Sequence, residues 1–322
     1  MLFISEKDVL NCVAYYDIVQ AIEESFFMYE KKEFNMPHRM HIDHGKNCLL
    51  LMPCFGKDYF STKLVTVYPH NAGTDIPVIN GVVVLNDLHN GEPLALINGR
   101  ILTALRTGAV GAVSVKYLAP DKASRLGIVG AGVQAFYQVM SSSTVRNLTD
   151  LYIFDINRQA GLTFEKKIKE HLPGVNTLVV KSVEDLLENS EIVITVTTAS
   201  DPVLPEQHTL LKGKHFVGIG SFKPDVREFP ETLYRMINKV YVDTEYAVEE
   251  SGDVSYPLAQ KWITGEQIQT LGSYMMQEGD KEAVKQDTTL FKSVGMALFD
   301  LVVSQVIYER ARERGLGKNL LL

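Results

Sequence analysis

The six residues GAGVQA at positions 130–135 restrict the possible folds of this chain more than any other feature. They follow the apolar run LGIV and precede a segment with helical spacing, so they fit the turn between a strand and a helix. In the pattern G-x-G-x-x-A, Gly130 permits a tight turn, Gly132 lets a ligand approach the main chain, and Ala135 allows close helix packing. The sequence therefore predicts a dinucleotide-binding turn, although other α/β domains also use glycines in tight turns.

An acidic residue follows at the position that this interpretation requires. Asp155 ends the next strand-like run, LYIF, about 20 residues after the glycines. An acid here accepts hydrogen bonds from ribose hydroxyls and repels a 2′-phosphate, so it favours NAD over NADP, whereas the nearby Arg158 leaves NADP open. A helix N-terminus offers free N–H groups to phosphates. The residues predicted to hold the cofactor's phosphates are Gly130, Gly132, Val133 and Gln134.

The pattern of hydrophobic residues before residue 100 differs from the pattern after residue 126. After residue 126, apolar runs alternate with helical segments, which indicates a doubly wound parallel α/β sheet of the Rossmann type. Before residue 100, short β-rich runs separated by glycine, proline and asparagine indicate an antiparallel sheet in an α+β domain. The residues 288–315, TTLFKSVG onward, are predicted as one long helix. The predicted domains are an α+β domain at 1–118, a Rossmann domain at 119–290, and a C-terminal helix at 291–322 that returns to the first domain.

Composition excludes several classes of function. A length of 322 residues favours two domains, and a hydrophobic content of 46% is that of a globular protein. The formal net charge of -7, without a basic run, argues against nucleic acid and anionic membranes as partners, and no apolar run is long enough to span a membrane. The three cysteines lack paired spacing, so we expect reduced thiols in a cytoplasmic protein.

Three histidines near the start of the β-rich region could suggest a metal site. His38, His41 and His44 have a spacing of three, which suits neither face of a strand, and Pro37 argues against a helix start. We expect surface or substrate-pocket histidines and no metal.

A charged residue interrupts the apolar segment LTALRTGAVGA. Arg106 lies among small and apolar residues, and burying an unpaired cation is costly, so we expect it to face a cleft or an anion. A surface ion pair is the alternative. In the parallel sheet, Thr197 and Ser221 follow strand-like runs, and ligands bind at such strand ends. We therefore expect both to line the nicotinamide side, unless they are ordinary strand-end hydroxyls.

Five segments together carry a family resemblance: LTALRTGAVGA, GIVGAGVQA, EIVITVTTA, ESGDV and TTLFKSVGMA. In this order they resemble the ornithine cyclodeaminase/mu-crystallin family over essentially the whole chain. The resemblance implies an N-terminal substrate-binding and dimerisation domain, a Rossmann domain, a nicotinamide cofactor and a homodimer. It also implies that Arg39, Lys63 and Arg106 surround an amino- or imino-acid substrate, and that Ser293 and Val294 close over the nicotinamide end. A helix start and a core residue are the alternatives for these last two.

The chain departs from the cyclodeaminase pattern at two acids. Ser221 and Phe222 stand where that pattern has an aspartate, and Leu50 stands where it has a glutamate. Asp225 and Glu228 are three or more residues out of register. The segment GSFKPDVRE instead resembles the mu-crystallin type, whose members reduce cyclic ketimines.

The resemblance therefore implies an NAD(P)H-dependent oxidoreductase that acts on the C–N bond of a small amino or imino acid. The expected reaction is reduction of a cyclic ketimine such as Δ1-pyrroline-2-carboxylate to proline, with Lys63 and Arg106 as the catalytic residues. Ornithine cyclodeaminase, alanine dehydrogenase-type activity and non-enzymatic binding of a small ligand are the alternatives, in that order.

Overall fold

The computed structural model of the chain describes residues 1–71, 73–221, 223–279 and 281–321. The strands are, in chain order, β1 (Leu2–Ile4), β2 (Met40–His44), β3 (Asn47–Phe55), β4 (Tyr59–Val67), β5 (Ile79–Asp87), β6 (Pro93–Asn98), β7 (Arg125–Val129), β8 (Asp150–Phe154), β9 (Asn176–Val179), β10 (Ile192–Thr195), β11 (His215–Gly218), β12 (Val240–Val242), β13 (Ile268–Thr270), β14 (Thr289–Lys292) and β15 (Lys318–Asn319). The α-helices are α1 (Glu6–Cys12), α2 (Tyr15–Glu30), α3 (Gly99–Leu118), α4 (Val133–Ser142), α5 (Arg158–His171), α6 (Val183–Asn189), α7 (His208–Leu211), α8 (Glu231–Met236), α9 (Ala247–Glu250), α10 (Gly252–Ala259), α11 (Leu271–Met276), α12 (Glu282–Gln286) and α13 (Ala297–Glu313).

The chain divides into two compact units. The first consists of Met1–Arg106 and Met296–Leu322, and the second of Thr107–Gly295. The boundary at residue 106 lies inside α3, whereas the sequence analysis put the domain limit at the end of that helix. The limits at 118 and 290 remain our proposal for the functional domains.

The first unit is built on one seven-stranded sheet with the order β15-β1-β6-β5-β4-β3-β2. Its neighbouring strands pair antiparallel, except that β1 runs parallel to β6. The sequence analysis predicted the antiparallel core and missed β1, which is only three residues long. Directly after this strand, Ser5 caps α1, because its Oγ accepts a hydrogen bond from the N–H of Asp8.

Helix α13 covers one face of this sheet and packs against α2, β3 and β4. Phe26 and Phe299 meet edge to face, with ring centroids 5.2 Å apart. The sequence analysis began this closing helix too early. Residues 289–292 form β14, and the helix starts at Ala297, because Gly295 with its φ of +77° interrupts the chain between them. Strand β14 is only four residues long, and so short a segment shortly before a helix is easily taken for part of that helix.

The second unit is built on an eight-stranded sheet with the order β13-β12-β14-β11-β10-β7-β8-β9, and all neighbours run parallel. The central strands β10 and β11 are buried throughout, as expected where helices cover both faces. This architecture confirms the predicted fold class, a Rossmann-type parallel sheet joined to an N-terminal α+β domain.

Small residues in α3 allow a close approach to α4 within the second unit. A Cβ added to Gly108 would lie 2.4 Å from the carbonyl oxygen of Tyr137, and one added to Gly111 would lie 2.0 Å from Oε1 of Gln138. Gln138 fixes the crossing, because its Nε2 donates to the carbonyl oxygen of Thr107. The close helix crossing therefore explains the run of small residues in RTGAVGA.

Candidate active site

Lys63 lies inside the first unit because of the period of two along β4. Ser61, Lys63 and Val65 point to the buried face, while Leu64 between them is exposed. Lys63 is only 1% exposed. An ammonium group in such a place needs an anionic partner.

That partner is Asp300, on the first turns of α13. Nζ of Lys63 lies 2.7 Å from Oδ2 of Asp300, and Nε of Arg106 donates to Oδ1 at 3.2 Å. Asp300 is fully buried, and Arg106 is 7% exposed. One carboxylate therefore faces two cations, so the cluster carries a net positive charge. A buried excess charge favours an anionic ligand, such as a carboxylate.

Burial lowers the pKa of Lys63 to about 8, and the Asp300 carboxylate opposes this effect. The cations of Arg106 and Arg39 lower the pKa further. At neutral pH the amine is therefore mostly protonated, but it can release its proton within the physiological range. This is the property of a group that exchanges protons with a substrate.

Among the three predicted substrate residues, the charges of Arg39 and Arg106 both act on Lys63. Asp300 also acts on Lys63 and was not predicted. Arg39 is half-buried just before β2. Asp300 carried the same signal as Arg106, because it is a lone charge in the apolar run ALFDLVV. This signal led to the prediction for Arg106, whereas Asp300 was missed.

The glycine turn of the second unit leaves room for a ligand. Gly130 has a φ of +100°, and an added Cβ would lie 3.1 Å from the carbonyl oxygen of Val196, so glycine is needed for the turn itself. Gly132 has a φ of -82°, and an added Cβ would meet no protein atom within 4 Å. Neither backbone geometry nor packing requires glycine at 132, whereas a pyrophosphate lying against the main chain does.

The start of α4 supports this assignment. Gly132 is the N-cap and supplies no side-chain hydrogen bond, so the first N–H groups of the helix are available to a phosphate. Val133 is 70% exposed at this end. Oε1 of Gln134 is buried and receives no hydrogen bond from any described residue. The residues present therefore fit a dinucleotide.

Asp155 follows β8 and is tied to the glycine turn. Its Oδ2 accepts from the N–H of Ala131 at 2.8 Å and its Oδ1 from the N–H of Asn157 at 2.7 Å. A carboxylate has about four lone-pair sites, so two remain for ribose hydroxyls. Arg158 is exposed at the start of α5.

The hydroxyls of Thr197 and Ser221 already have protein partners. Thr197 donates to Oε1 of Glu228 through both its N–H and its Oγ1, each at 2.8 Å. Ser221 is fully buried, and its Oγ donates to the carbonyl oxygen of Val226 and also bonds the hydroxyl of Ser251. Both residues lie at strand ends, as expected, and their contact with a nicotinamide stays a prediction. Phe222 lies outside the described residues.

Asp243 organises the segment SVG. Its carboxylate accepts from Oγ of Ser293 and from the N–H of Gly295, both at 2.7 Å, and from the N–H of Val294 at 3.1 Å. Val294 also packs against the hydrophobic core of the second unit. Val294 therefore fits its alternative, a core residue, whereas Ser293 directly follows β14 and does not lie at a helix start. The role of both residues at the nicotinamide end stays a prediction. Asp243 was missed, although it directly follows the strand run KVYV.

Glu228 is a third buried acid, after Asp300 and Asp243, whose role was not predicted from the sequence. It is fully buried at the ends of β10 and β11, with both carboxylate oxygens occupied by donors. Three of the four donors that bind it belong to Thr195 and Thr197, which lie 33 and 31 residues away in the sequence, so no local pattern indicated it.

His38, His41 and His44 do not form one group in the structure. On β2, His41 lies with Asp43 and with Cys48 of β3, and their potential ligand atoms are within 4.8 Å of one another. His38 and His44 are exposed and belong to no such group within residues 1–71. The expectation that no metal binds here stays a prediction.

Among the residues that the structure describes, no helix combines the length and the apolar character needed to cross a membrane.

A parallel sheet with an open glycine turn and an acid after its second strand defines a dinucleotide-binding protein, here joined to a unit with a buried cationic cluster. The chain belongs to the ornithine cyclodeaminase/mu-crystallin family, whose model matches residues 1–315. It is 32% identical to Delta(1)-pyrroline-2-carboxylate reductase of Bacillus cereus, with 99% of both chains covered. It is 35% identical to ketimine reductase mu-crystallin of Mus musculus, over 80% of this chain and 79% of that protein.

A solved structure agrees with the present one over nearly its whole length. It is Delta(1)-pyrroline-2-carboxylate reductase of Thermococcus litoralis in complex with NADH and L-proline. The TM-score is 0.92 at 32% identity, and the match covers 99% of this chain and 100% of that one. These findings confirm the family that the sequence motifs indicated.

The buried cluster generates a first prediction. Asp300→Asn leaves two buried cations without their anion, so it should lower the free energy of unfolding by about 3–5 kcal/mol, measured by urea denaturation. The loss should be largest at acidic pH, where Lys63 must carry its proton, and smaller once Lys63 is neutral. Glu309→Gln, an exposed change on the same helix, is the control. Equal, small losses in both variants would show that Asp300 does not hold the cluster together.

Proposed function

We propose that this protein is an NAD(P)H-dependent reductase of cyclic ketimines, with Δ1-pyrroline-2-carboxylate as substrate and proline as product. The observation that carries the proposal is the buried cluster of Lys63, Arg106 and Asp300, which combines a net positive charge with an amine whose pKa is about 8. A substrate with a carboxylate beside a C=N bond matches both properties. The names of the relatives support the same substrate class.

The glycine turn is the proposed cofactor site. Gly130, Gly132, Val133 and Gln134 would hold the pyrophosphate, and Asp155 would accept the ribose hydroxyls, which favours NAD. Arg158 is the residue that would accept the 2′-phosphate if NADP binds. When bound, the reduced nicotinamide supplies the hydride that adds to the C=N carbon.

Three side chains of the first unit would hold and protonate the substrate. Nε of Arg106 bonds Asp300, which leaves its two Nη groups for the substrate carboxylate, with Arg39 as the second guanidinium. Nζ of Lys63 would donate a proton or a hydrogen bond to the imine nitrogen and so make the carbon more electrophilic. Asp300 would keep Lys63 protonated at neutral pH. In the second unit, Ser293 and Val294 would close over the nicotinamide end.

The acids expected of an ornithine cyclodeaminase are replaced. Leu50 lies on β3, opposite His41 of β2, and Ser221 is bonded to Val226 and Ser251. Asp225 is exposed, and Glu228 is enclosed by hydrogen bonds at the strand ends. These observations favour ketimine reduction over deamination of ornithine.

A homodimer is part of the proposal. Met40, Ile42 and Leu64 are large exposed apolar side chains, and the strand register puts them on the sheet face opposite Lys63. A second copy covering this face would remove them from water. We also place the protein in the cytoplasm, because its three cysteines, all within the described residues, form no disulfide.

The direct test mixes purified protein with NADH or NADPH and Δ1-pyrroline-2-carboxylate, and follows the reduced-nicotinamide absorbance. We expect the absorbance to fall and proline to accumulate in equal amounts. Release of ammonia from ornithine without net NADH oxidation would instead identify a cyclodeaminase, and NADH oxidation with pyruvate and ammonia an alanine dehydrogenase. Binding without turnover of any imine or amino acid would support a ligand-binding protein.

The cofactor assignment predicts an asymmetric effect at Asp155. Asp155→Ala removes acceptors for the ribose hydroxyls of NADH and removes repulsion of the NADPH phosphate. The dissociation constant should therefore rise much more for NADH than for NADPH, measured by calorimetry. Equal weakening of both, or a wild-type preference for NADPH, would contradict the assignment.

The substrate residues predict different kinetic defects. Lys63→Met should lower kcat about 10²–10⁴-fold while NADH binding stays near wild type, because an acid–base group is lost. Arg106→Lys should bind the substrate more weakly than the wild-type protein does, since an ammonium group cannot reproduce the planar two-point contact of a guanidinium. Near-normal turnover of Lys63→Met would mean that water supplies the proton. Unchanged substrate affinity of Arg106→Lys would make Arg106 a structural ion-pair partner.

A further inference from the structure

Glu228 joins the ends of two neighbouring strands of the parallel sheet. Its Oε1 accepts from the N–H and Oγ1 of Thr197, just after β10, at 2.8 Å each. Its Oε2 accepts from the N–H of Gly220, just after β11, at 2.8 Å, and from Oγ1 of Thr195 at 2.9 Å. One fully buried carboxylate therefore bonds to both strand ends at once.

The donors around Glu228 favour its ionised form. Each oxygen accepts from one main-chain N–H, which cannot accept a proton in return, and from one threonine hydroxyl. Protonation would force a hydroxyl to turn away. Burial raises the pKa of Glu228, and the ammonium of Lys292 opposes this rise. The bonding pattern is that of a carboxylate held by charge-assisted hydrogen bonds.

Two further buried charges hold Glu228 in place. Oδ1 of Asp253 accepts from the N–H of Glu228 at 2.7 Å, and Oδ2 of Asp253 lies 3.1 Å from Nζ of Lys292. Asp253 and Lys292 are both fully buried, and Lys292 is the last residue of β14. Glu228, Asp253 and Lys292, the strand-end cluster, thereby connect the ends of β10, β11 and β14.

Gly220 packs tightly against Thr197 and Glu228. A Cβ added to Gly220 would lie 2.2 Å from the carbonyl oxygen of Thr197 and 2.6 Å from Oε1 of Glu228. The two strand ends and the carboxylate are therefore in direct contact. A change in the carboxylate must be transmitted to the main chain at Thr197 and Gly220.

The sheet order places this cluster beside the glycine turn. β10 lies between β11 and β7, and β7 ends at the turn, while Asp155 follows β8 on the other side of β7. A dinucleotide bound at the turn, with its adenosine half at Asp155, would therefore have its other half near the ends of β10 and β11.

We infer that Glu228 is a positioning residue for the nicotinamide: it fixes the main chain at Thr197 and Gly220, against which the reactive ring would lie, and Asp253 and Lys292 fix Glu228. This inference rests on the proposed function. Glu228 does not touch the reacting atoms. It acts through the two strand ends that it bonds.

The test compares Glu228→Gln with Asp225→Asn. Glutamine has nearly the same shape as glutamate, but one carboxylate oxygen is replaced by an N–H₂ group. This group faces hydrogen-bond donors, so one of the two strand ends loses its hydrogen bonds to residue 228. Asp225→Asn makes the same charge change three residues away at an exposed position. For each variant we would measure the melting temperature, NADH affinity by calorimetry, the fluorescence of bound NADH, kcat, KM, and the isotope effect with NADH deuterated at the transferred position.

The expected result for Glu228→Gln is a kcat about tenfold to hundredfold lower per folded molecule, since a misplacement near 1 Å can cost that much. NADH affinity should change by only a few-fold, because the adenosine half and pyrophosphate contacts are intact. The isotope effect on kcat should increase, and bound NADH should lose fluorescence enhancement as its ring becomes mobile. Asp225→Asn should match wild type throughout. An unchanged kcat and unchanged fluorescence, with only a lower melting temperature, would overturn the inference and leave Glu228 a structural residue.

Further measurements cover the cases in which Glu228→Gln does not fold or the wild-type protein is inactive. If Glu228→Gln does not fold, Thr197→Val removes one hydroxyl donor to Oε1 and should give a smaller change of the same kind; wild-type kinetics and fluorescence would overturn the inference. If the wild-type protein reduces no ketimine, the proposed substrate fails, and the fluorescence and calorimetry of bound NADH decide the role of Glu228 alone. If NADH does not bind to the wild-type protein, both the proposed function and the inference fail.

Discussion

The contact of one buried carboxylate, Asp300, with two cations determines the chemistry of the first unit. The acid offsets the cost of burying the cations of Lys63 and Arg106 inside the core. Since one negative charge faces two positive ones, the cluster still favours an anion. The same balance of burial against the Asp300 charge brings the pKa of Lys63 to about 8, which makes its proton transferable near neutral pH.

Buried acids also organise the second unit, through a different set of donors. Asp243 accepts the N–H groups of Val294 and Gly295, and Glu228 accepts those of Thr197 and Gly220. These bonds fix main-chain segments that follow strands of the parallel sheet, where ligands of such sheets bind. In both units, therefore, an acid in the interior determines where the groups proposed to contact substrate or cofactor lie.

The sequence predicted features whose determinants are local, and missed those that depend on distant residues. The glycine turn was predictable because Gly130, Gly132 and the flanking strand and helix are contiguous. Arg106 was predicted to face a cleft or an anion because its neighbours are apolar. Asp300 had the same signal, but its partners come from β4 and α3, so its pairing could not be inferred from spacing. Glu228 was set aside because it is out of register with the aspartate of the cyclodeaminase pattern. Its role could not be predicted, since its hydrogen-bond partner Thr197 lies 31 residues away.

The central claim is that Lys63, held protonated by Asp300 against the cost of burial, delivers the proton to the imine nitrogen. The pH dependence of kcat/KM, measured for ketimine reduction and for proline oxidation, tests it most directly. The account predicts that reduction falls and oxidation rises through a common midpoint at about 8, because reduction needs the protonated amine and oxidation the neutral one. A reduction profile that stays flat up to a pH of about 10, the range of an ordinary lysine, would contradict the account.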